Sequence, residues 1–152
     1  MTLGVDFVIK RLENTIIYFS IFDLGGHHRF QKLRDLYYTG ALAIGLMFDL
    51  NNPDSLKDLL LWAEEIKKAK ETAKGRLYEE VVLIGNKSDL PQLVSDDKVK
   101  SLIRILEEGY QIKVSSYVKT SALYGDGVEE AFWELVKVAL KNLAEYLASK
   151  NK

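Results

Sequence analysis

The sequence of 152 residues has no cysteine, so we expect no disulfide framework, no thiolate nucleophile, no cysteine-ligated zinc and no lipid anchor on cysteine. It has two prolines, and no run of about 20 apolar residues that could span a bilayer. Neither sign of charge dominates, because 21 Lys and Arg face 22 Asp and Glu for a net charge of −1. This balance argues against nucleic acid as a partner. The N-terminus lacks a signal-peptide pattern, and we expect a cytoplasmic protein.

Hydrophobic residues make up 47% of the chain and charged residues 28%, the balance of an ordinary globular protein. No repeat, linker or change of composition marks a boundary, so a single domain over residues 1–152 is expected. At this length, about 70% of the surface of the unfolded chain can be buried on folding.

The spacing of apolar residues predicts two strands first and then an alternation of strands and helices. Residues 4–12 alternate in polarity and residues 15–22 are rich in β-branched and aromatic side chains, which favours an antiparallel hairpin. The runs 41–50 and 81–85 are almost wholly apolar, as is typical of strands buried on both faces. Helical spacing follows each run, and Ser95-Asp96-Asp97 is predicted to start the helix after the second run with a capping side chain. Residues 128–149 form the last predicted helix. The fold class is therefore α/β with a mainly parallel sheet.

Residues suited to ligand binding stand directly after the predicted strands. In an open α/β sheet, ligands bind at the carboxyl ends of the strands, so a site is expected in these loops. The notable segments are three such loops and the start of the chain: Asp23-Leu24-Gly25-Gly26-His27-His28, Asn86-Lys87-Ser88-Asp89, Thr120-Ser121-Ala122-Leu123 and Thr2-Leu3-Gly4-Val5-Asp6-Phe7.

These segments resemble the motifs of the Ras superfamily of small GTPases, most closely its Rab-like and archaeal Rab-like members, over nearly the whole chain. Residues 2–7 resemble the end of switch I, residues 23–30 the DxxG segment that opens switch II, and residues 37–41 the Rab segment that follows. Residues 86–89 match the guanine-recognising NKxD motif, and residues 120–123 match the last base-contacting loop. The resemblance implies a three-layer P-loop-type GTPase fold with one antiparallel edge hairpin. It also implies a switch that binds GTP or GDP with Mg²⁺ and hydrolyses GTP.

The guanine-binding assignments also have a chemical basis. Asp89 can accept hydrogen bonds from both the ring N–H and the exocyclic amine of guanine, a pair that adenine does not offer. Asn86 is expected to bond near the base, and the stem of Lys87 to cover the base face. The backbone N–H of Ala122, next to Ser121, is expected to point at the guanine carbonyl. The alternative for the NKxD segment is a strand-to-helix turn with an Asx cap, because an isolated NKxD is a weak signal.

The resemblance assigns Mg²⁺ to Thr2, through its hydroxyl, and to Asp23, which acts from the end of a strand. It assigns the γ-phosphate to the backbone N–H groups of Thr2 and Gly26, since a glycine lets the backbone approach closely. The alternative for residues 23–26 is a solvated turn.

His27 stands where most small GTPases carry the glutamine that orients the attacking water. One interpretation is therefore catalytic, with His27 positioning water beside Gly26. The other is that His27 and His28 are exposed loop residues in a slow or inactive enzyme. Zinc is not expected, because two histidines without cysteine cannot complete its ligand shell.

An aromatic group consists of Tyr37, Tyr38, Phe30, Phe7 and Trp62. The resemblance assigns such aromatics to the binding of protein effectors or regulators through the switch regions. The alternative is ordinary packing in the core and at its rim.

No P-loop of the form G-x-x-x-x-G-K-[ST] occurs in the sequence, and the first strand that carries it in the family is missing as well. We therefore expect weak nucleotide binding and GTP hydrolysis near the background rate. Two hypotheses follow: a truncated form of an intact GTPase, or a pseudo-GTPase that is a non-enzymatic protein-interaction module. The place of the missing strand is expected to be closed by direct pairing of its neighbours, by a swapped dimer or by a partner.

Overall fold

The structure is a computed structural model that describes residues 5–11, 15, 18–25, 37–38, 40–72 and 80–150. The chain divides into two compact units, residues 1–39 and residues 40–152. The single domain expected over residues 1–152 stays a prediction. Among the described residues, no helix combines the length and the apolar character needed to cross a bilayer.

The first unit contains an antiparallel hairpin of β1 (Val5–Arg11) and β2 (Tyr18–Leu24). The predicted hairpin is thus confirmed, with Val5 opposite Leu24 at the open end. The predicted end of the second strand at Phe22 was two residues short. The strand continues because Asp23 and Leu24 still pair across the hairpin with β1.

The second unit contains a parallel sheet of β3 (Ile44–Asp49), β4 (Glu80–Asn86) and β5 (Lys113–Lys119), in that order across the sheet. The central strand β4 is the most buried, as its apolar run predicted, with Val81 and Leu83 fully inaccessible. Because the three strands are parallel, their carboxyl ends lie along one edge of the sheet. The predicted α/β class is confirmed.

Three helices accompany this sheet: α1 (Pro53–Thr72), α2 (Asp96–Arg104), continued by a π-helical turn (Ile105–Gly109), and α3 (Val128–Lys150). Ser95 caps α2 as its sequence predicted, because its side chain accepts a hydrogen bond from the Lys98 backbone N–H at 3.4 Å.

The helices cover both faces of the sheet. Ala131 and Val138 of α3 pack in one apolar cluster with Val82 and Ile84 of β4. The side chain of Phe48 in β3 is buried on the other face, where its ring stacks on Tyr117 at 6.2 Å, and α1 contacts β3. This gives the three layers expected from the sequence.

One irregularity interrupts the pairing of β4 with β5. Val81 pairs with Val114, but Val82 pairs with Ser116, so Ser115 is an extra residue on β5. The Ser115 hydroxyl donates to the carbonyl of Val81 at 3.0 Å.

Candidate functional site

Two loops at the carboxyl edge of the parallel sheet are joined by backbone hydrogen bonds: the β4 loop (residues 86–89) and the β5 loop (residues 120–127). The Thr120 N–H donates to the carbonyl of Gly85 at 2.8 Å, and the Ser88 N–H donates to the carbonyl of Thr120 at 3.0 Å. The structure therefore brings together the five residues that the sequence predicted for base recognition: Asn86, Lys87, Asp89, Ser121 and Ala122.

Asn86 links the two loops through a single oxygen. Its Oδ1 accepts hydrogen bonds from the Thr120 hydroxyl and from the Ala122 N–H, both at 3.1 Å. The Ala122 N–H was expected to point at a guanine carbonyl, and in the structure it donates to Asn86. This bond orients the amide group of Asn86 with its nitrogen as the remaining donor.

Asp89 is held by Ser121. The fully buried Ser121 hydroxyl donates to Asp89 Oδ1 at 2.5 Å and accepts the Tyr124 N–H at 3.3 Å. A carboxylate has about four acceptor sites, so Asp89 keeps acceptor capacity beyond this bond. Ser121 thus fixes the direction of the Asp89 carboxylate, which the sequence predicted to distinguish guanine from adenine.

The β5 loop closes on itself through residues that the sequence analysis missed. The Ser121 N–H donates to the carbonyl of Asp126 at 2.9 Å, and the Gly125 N–H donates to the carbonyl of Ser121 at 2.7 Å. Gly127 has a φ of +67°, and a Cβ there would lie 2.2 Å from the carbonyl oxygen of Lys119. The Gly-Asp-Gly sequence before the last helix was the available signal, because two glycines so close together mark a tight turn.

Lys87 turns out of β4 in a left-handed conformation, with a φ of +65°. Its ammonium group lies 2.5 Å from Oδ2 of Asp49, the last residue of β3. Asp49 is a further residue whose role was not expected from the sequence, and the signal was a carboxylate at the end of an apolar strand. Burial works to raise the pKa of Asp49, but hydrogen bonds from Lys87 and the Asn51 N–H, with the lysine charge, outweigh it and lower the pKa.

Of the residues predicted for metal, phosphate and water, Thr2, Gly26 and His27 lie outside the described residues, as does the neighbouring His28. Asp23 is described, and it is an exposed residue of β2 opposite Asp6. Its carboxylate is the type of ligand that Mg²⁺ prefers. Within the described parts of the chain, no group of three or more metal-binding side chains occurs.

Aromatic rings form a chain in the first unit. The ring centroid of Phe22 lies 5.2 Å from that of Phe7 and 4.9 Å from that of Tyr37. Phe7 and Tyr37 belong to the aromatic group expected from the sequence, whereas Phe22 between them was not expected there. Of the other aromatics in that group, Tyr38 is buried and Phe30 lies outside the described residues.

Trp62, the remaining member of the predicted aromatic group, is half-buried in α1 of the second unit.

Comparison with known proteins gives one consistent family. Residues 1–141 match the family model described as Ras family. The Ras-related protein RABA6b of Arabidopsis thaliana is 34% identical over 141 residues, which cover 89% of this chain and 56% of the relative. Rab-1 of Theileria parva is 32% identical over 150 residues, covering 95% and 63%. RabL of Dictyostelium discoideum is 31% identical over 148 residues, covering 93% and 69%.

The chain spans between about half and two thirds of the length of these curated relatives. The family match extends over both described units and includes both loops of the candidate site. The chain therefore belongs to the Ras family, and it is a Rab-like small GTPase of the Ras superfamily.

Proposed function

We propose that this chain recognises the guanine base of GTP and GDP through its β4 and β5 loops, as part of a Rab-like molecular switch. The observation that carries the proposal is the set of hydrogen bonds that holds Asn86 and Asp89 against residues 120–122. These bonds orient two polar side chains at the carboxyl edge of a parallel sheet, where ligands of α/β proteins bind.

The chemistry of these side chains selects guanine. Asp89 accepts the ring N–H and the exocyclic amine, and the Asn86 amide nitrogen donates at the base edge. The stem of Lys87 covers one face of the base. Adenine leaves the Asp89 carboxylate without these donors, and a site built on buried hydrogen bonds rejects such an analogue strongly.

The Ala122 N–H reaches the guanine carbonyl only by sharing its hydrogen with Asn86, because in the structure it donates to that side chain.

The phosphate end of the switch is assigned to residues of the first unit. Mg²⁺, when bound, neutralises the charge on the phosphate oxygens. Thr2 and Asp23 would hold the ion through a hydroxyl and a carboxylate, both of which suit it. The backbone N–H groups of Thr2 and Gly26 would contact the γ-phosphate, and the imidazole of His27 would orient the attacking water. With these parts in place, the switch hydrolyses GTP to GDP.

We further propose that the 152 residues alone bind nucleotide weakly, since their sequence contains no P-loop to hold the phosphates. In the second candidate function, the chain is a pseudo-GTPase that binds proteins without hydrolysing GTP. The chain of rings Phe7, Phe22 and Tyr37 favours a protein-binding role, because Phe7 and Phe22 are each more than two fifths exposed.

We propose that protein effectors or regulators bind the switch regions and that the protein is cytoplasmic. A further partner contact is proposed at β3, which in the sheet of described strands pairs on one side only, with β4. An unpaired strand edge accepts another strand, either from a swapped copy of this chain or from a partner protein.

The test is a titration of the purified chain with a fluorescent GTP analogue, with and without Mg²⁺, against an ATP analogue. We expect guanine-selective binding that Asp89→Asn weakens at least about tenfold, since the variant carries only one acceptor oxygen. Asp97→Asn is the matched control, because its carboxylate is 91% exposed on α2.

Equal binding of the GTP and ATP analogues would contradict guanine recognition. The absence of any binding by a cooperatively folded chain would leave the pseudo-GTPase and the truncated switch as the two candidates. A partner whose affinity differs between the GDP-bound and GTP-bound forms would in turn exclude a protein-binding role that is independent of nucleotide, by linkage.

A further inference from the structure

The ion pair between Lys87 and Asp49 joins two strand ends that are distant in sequence but adjacent in the sheet. Asp49 pairs with Asn86 in the parallel register of β3 and β4, so its side chain stands beside the start of the β4 loop. Lys87 is the next residue, and its Nζ lies 2.5 Å from Asp49 Oδ2. The lysine is therefore tethered from outside its own loop.

The carboxylate that holds Lys87 is itself fixed from several directions. Asp49 Oδ1 accepts the Asn51 N–H at 2.8 Å, so both carboxylate oxygens have partners. The Asp49 N–H donates to the Ser55 hydroxyl at 2.9 Å, and that hydroxyl donates to the carbonyl of Asn52 at 2.7 Å. The start of α1 thus sets the position of Asp49.

An external partner limits the conformations of the Lys87 side chain. The backbone of Lys87 has a φ of +65°, outside the extended and right-handed helical regions, so the strand conformation of β4 ends there. A lysine stem has four rotatable bonds and is ordered only at a cost in entropy. A fixed anion at its end reduces the number of conformations that it samples.

The pair is too exposed to be a main source of stability. The Lys87 side chain is 52% exposed and that of Asp49 is 22% exposed. Ion pairs with such access to water are worth little in the free energy of folding. The geometry of the Lys87–Asp49 pair nevertheless defines where the ammonium group and the stem of Lys87 lie, so the main effect of the pair is to position the lysine.

We infer that Asp49 is a positioning residue that fixes Lys87 across the base-binding edge of the β4 loop. This inference rests on the proposed function, because it adds to guanine recognition a residue that touches the lysine and not the base. Loss of the Asp49 charge is expected to free the Lys87 side chain while the loops keep their backbone structure.

The experiment measures the rate at which an amine-acylating reagent modifies each lysine, by peptide mass spectrometry on the full chain without ligand. We expect Asp49→Asn to raise the rate at Lys87 about threefold, the change that loss of one partly exposed ion pair produces. Asp49→Glu retains a carboxylate and is expected to restore most of the protection. A merely structural effect would raise the rates at many lysines together.

Asp54→Asn is the matched control. Asp54 also pairs with a lysine, Lys57, at 2.7 Å, and it lies close to Asp49 in sequence. Its substitution removes the same charge and is expected to change the modification of Lys57 but not of Lys87. An unchanged Lys87 rate in Asp49→Asn would overturn the inference.

A parallel titration with GDP separates the two proposals. If the unaltered chain binds GDP selectively, Asp49→Asn is expected to weaken binding about threefold and Asp54→Asn to leave it unchanged. Selective binding that Asp49→Asn does not alter would overturn positioning and leave guanine recognition intact. If the unaltered chain binds no guanine nucleotide, the proposed function fails, and the Lys87 rate alone decides whether Asp49 fixes the lysine.

Discussion

The β5 loop and the β1–β2 hairpin show two different ways of holding a predicted functional segment. Residues of the β5 loop are fixed by hydrogen bonds to β4 and to one another, around a fully buried Ser121. In the hairpin, the successive residues Phe7, Val8 and Ile9 are 49%, 56% and 58% exposed, although they point to alternate faces. Their conformation depends on cross-strand pairing.

The β5 loop is therefore held by hydrogen bonds to buried groups, whereas the hairpin is held by the pairing of its two strands. Substitution of the buried Thr120 or Ser121 in the β5 loop leaves the groups bonded to them without partners, which is costly because buried polar groups must keep their hydrogen bonds. Substitutions in the exposed strands exchange one solvated side chain for another. Base recognition is thus expected to tolerate mutation poorly, and the hairpin to tolerate it well.

The largest effect is expected for Gly127→Ala. The added Cβ would lie 2.2 Å from the carbonyl oxygen of Lys119, at a φ of +67°, so the backbone must move. We expect a loss of about 3 kcal/mol in the free energy of unfolding, measured by urea denaturation. Gly125→Ala is the control, since its φ is +86° but nothing lies within 4 Å, and about 1 kcal/mol is expected. Equal losses would show that the crowding at Gly127 is unimportant.

Gly85→Ala is expected to cost about 2 kcal/mol, because overpacking forces neighbours from their positions. A Cβ at Gly85 would lie 2.9 Å from the Tyr117 hydroxyl oxygen and 3.1 Å from Leu50. Tyr117→Phe should recover part of this loss in the double variant, because the hydroxyl is removed. Gly45→Ala is the control on β3, where the new Cβ makes ordinary contacts at 3.5 Å.

Tyr117→Phe alone is expected to leave stability unchanged or slightly higher. Its buried hydroxyl finds no hydrogen-bond partner among the described residues, and burial with the charge of Asp96 raises its pKa to about 12. If the double variant were no more stable than Gly85→Ala, the clash would lie elsewhere.

A smaller, pH-dependent effect is expected for Glu80→Gln at the other end of the sheet. Hydrogen bonds from Lys141 and Lys113 lower the pKa of Glu80 below its ordinary 4.5, against the effect of burial. Because the pKa of Glu80 is lower in the folded protein than in the unfolded chain, its ionised carboxylate stabilises the fold at pH values above the unfolded-state pKa. This contribution is lost as the pH falls through the folded-state pKa. We expect about 1 kcal/mol at pH 7, measured by urea denaturation from pH 7 to pH 3. The difference should shrink towards pH 3, and a difference independent of pH would contradict the assignment.

The smallest effect is expected for Ile9→Thr in β1. The side chain is more than half exposed, and threonine keeps the β-branched shape that suits a strand, so a change below about 0.5 kcal/mol follows. The measurement is the same denaturation experiment. A loss as large as that of Gly127→Ala would remove the contrast between the two segments.

The sequence was informative where one local signal decided the structure. The apolar run of β4 predicted a strand buried on both faces, and Ser95 predicted the start of α2. The hydrogen bonds of Asn86 and Asp89 could be placed only in outline, because they depend on atoms more than 30 residues away in the chain.

Asp49 and Phe22 were missed because their roles come from neighbours in the folded structure. The first meets Lys87 across the strand ends, and the second lies between two other rings. Neither relation leaves a periodic pattern in the sequence.

The extra residue Ser115 has a consequence for the whole parallel sheet, because side chains along a strand alternate with a period of two. At one end of β5, Lys113 faces Glu80, and at the other end Thr120 meets Asn86. If Ser115 were deleted, either the Lys113–Glu80 contact or the Thr120–Asn86 contact could keep its register with β4, but not both. The bulge therefore shifts the side-chain alternation of β5 by one residue, so the ion pair at one end of the sheet and the Asn86 contact at the other end can both form.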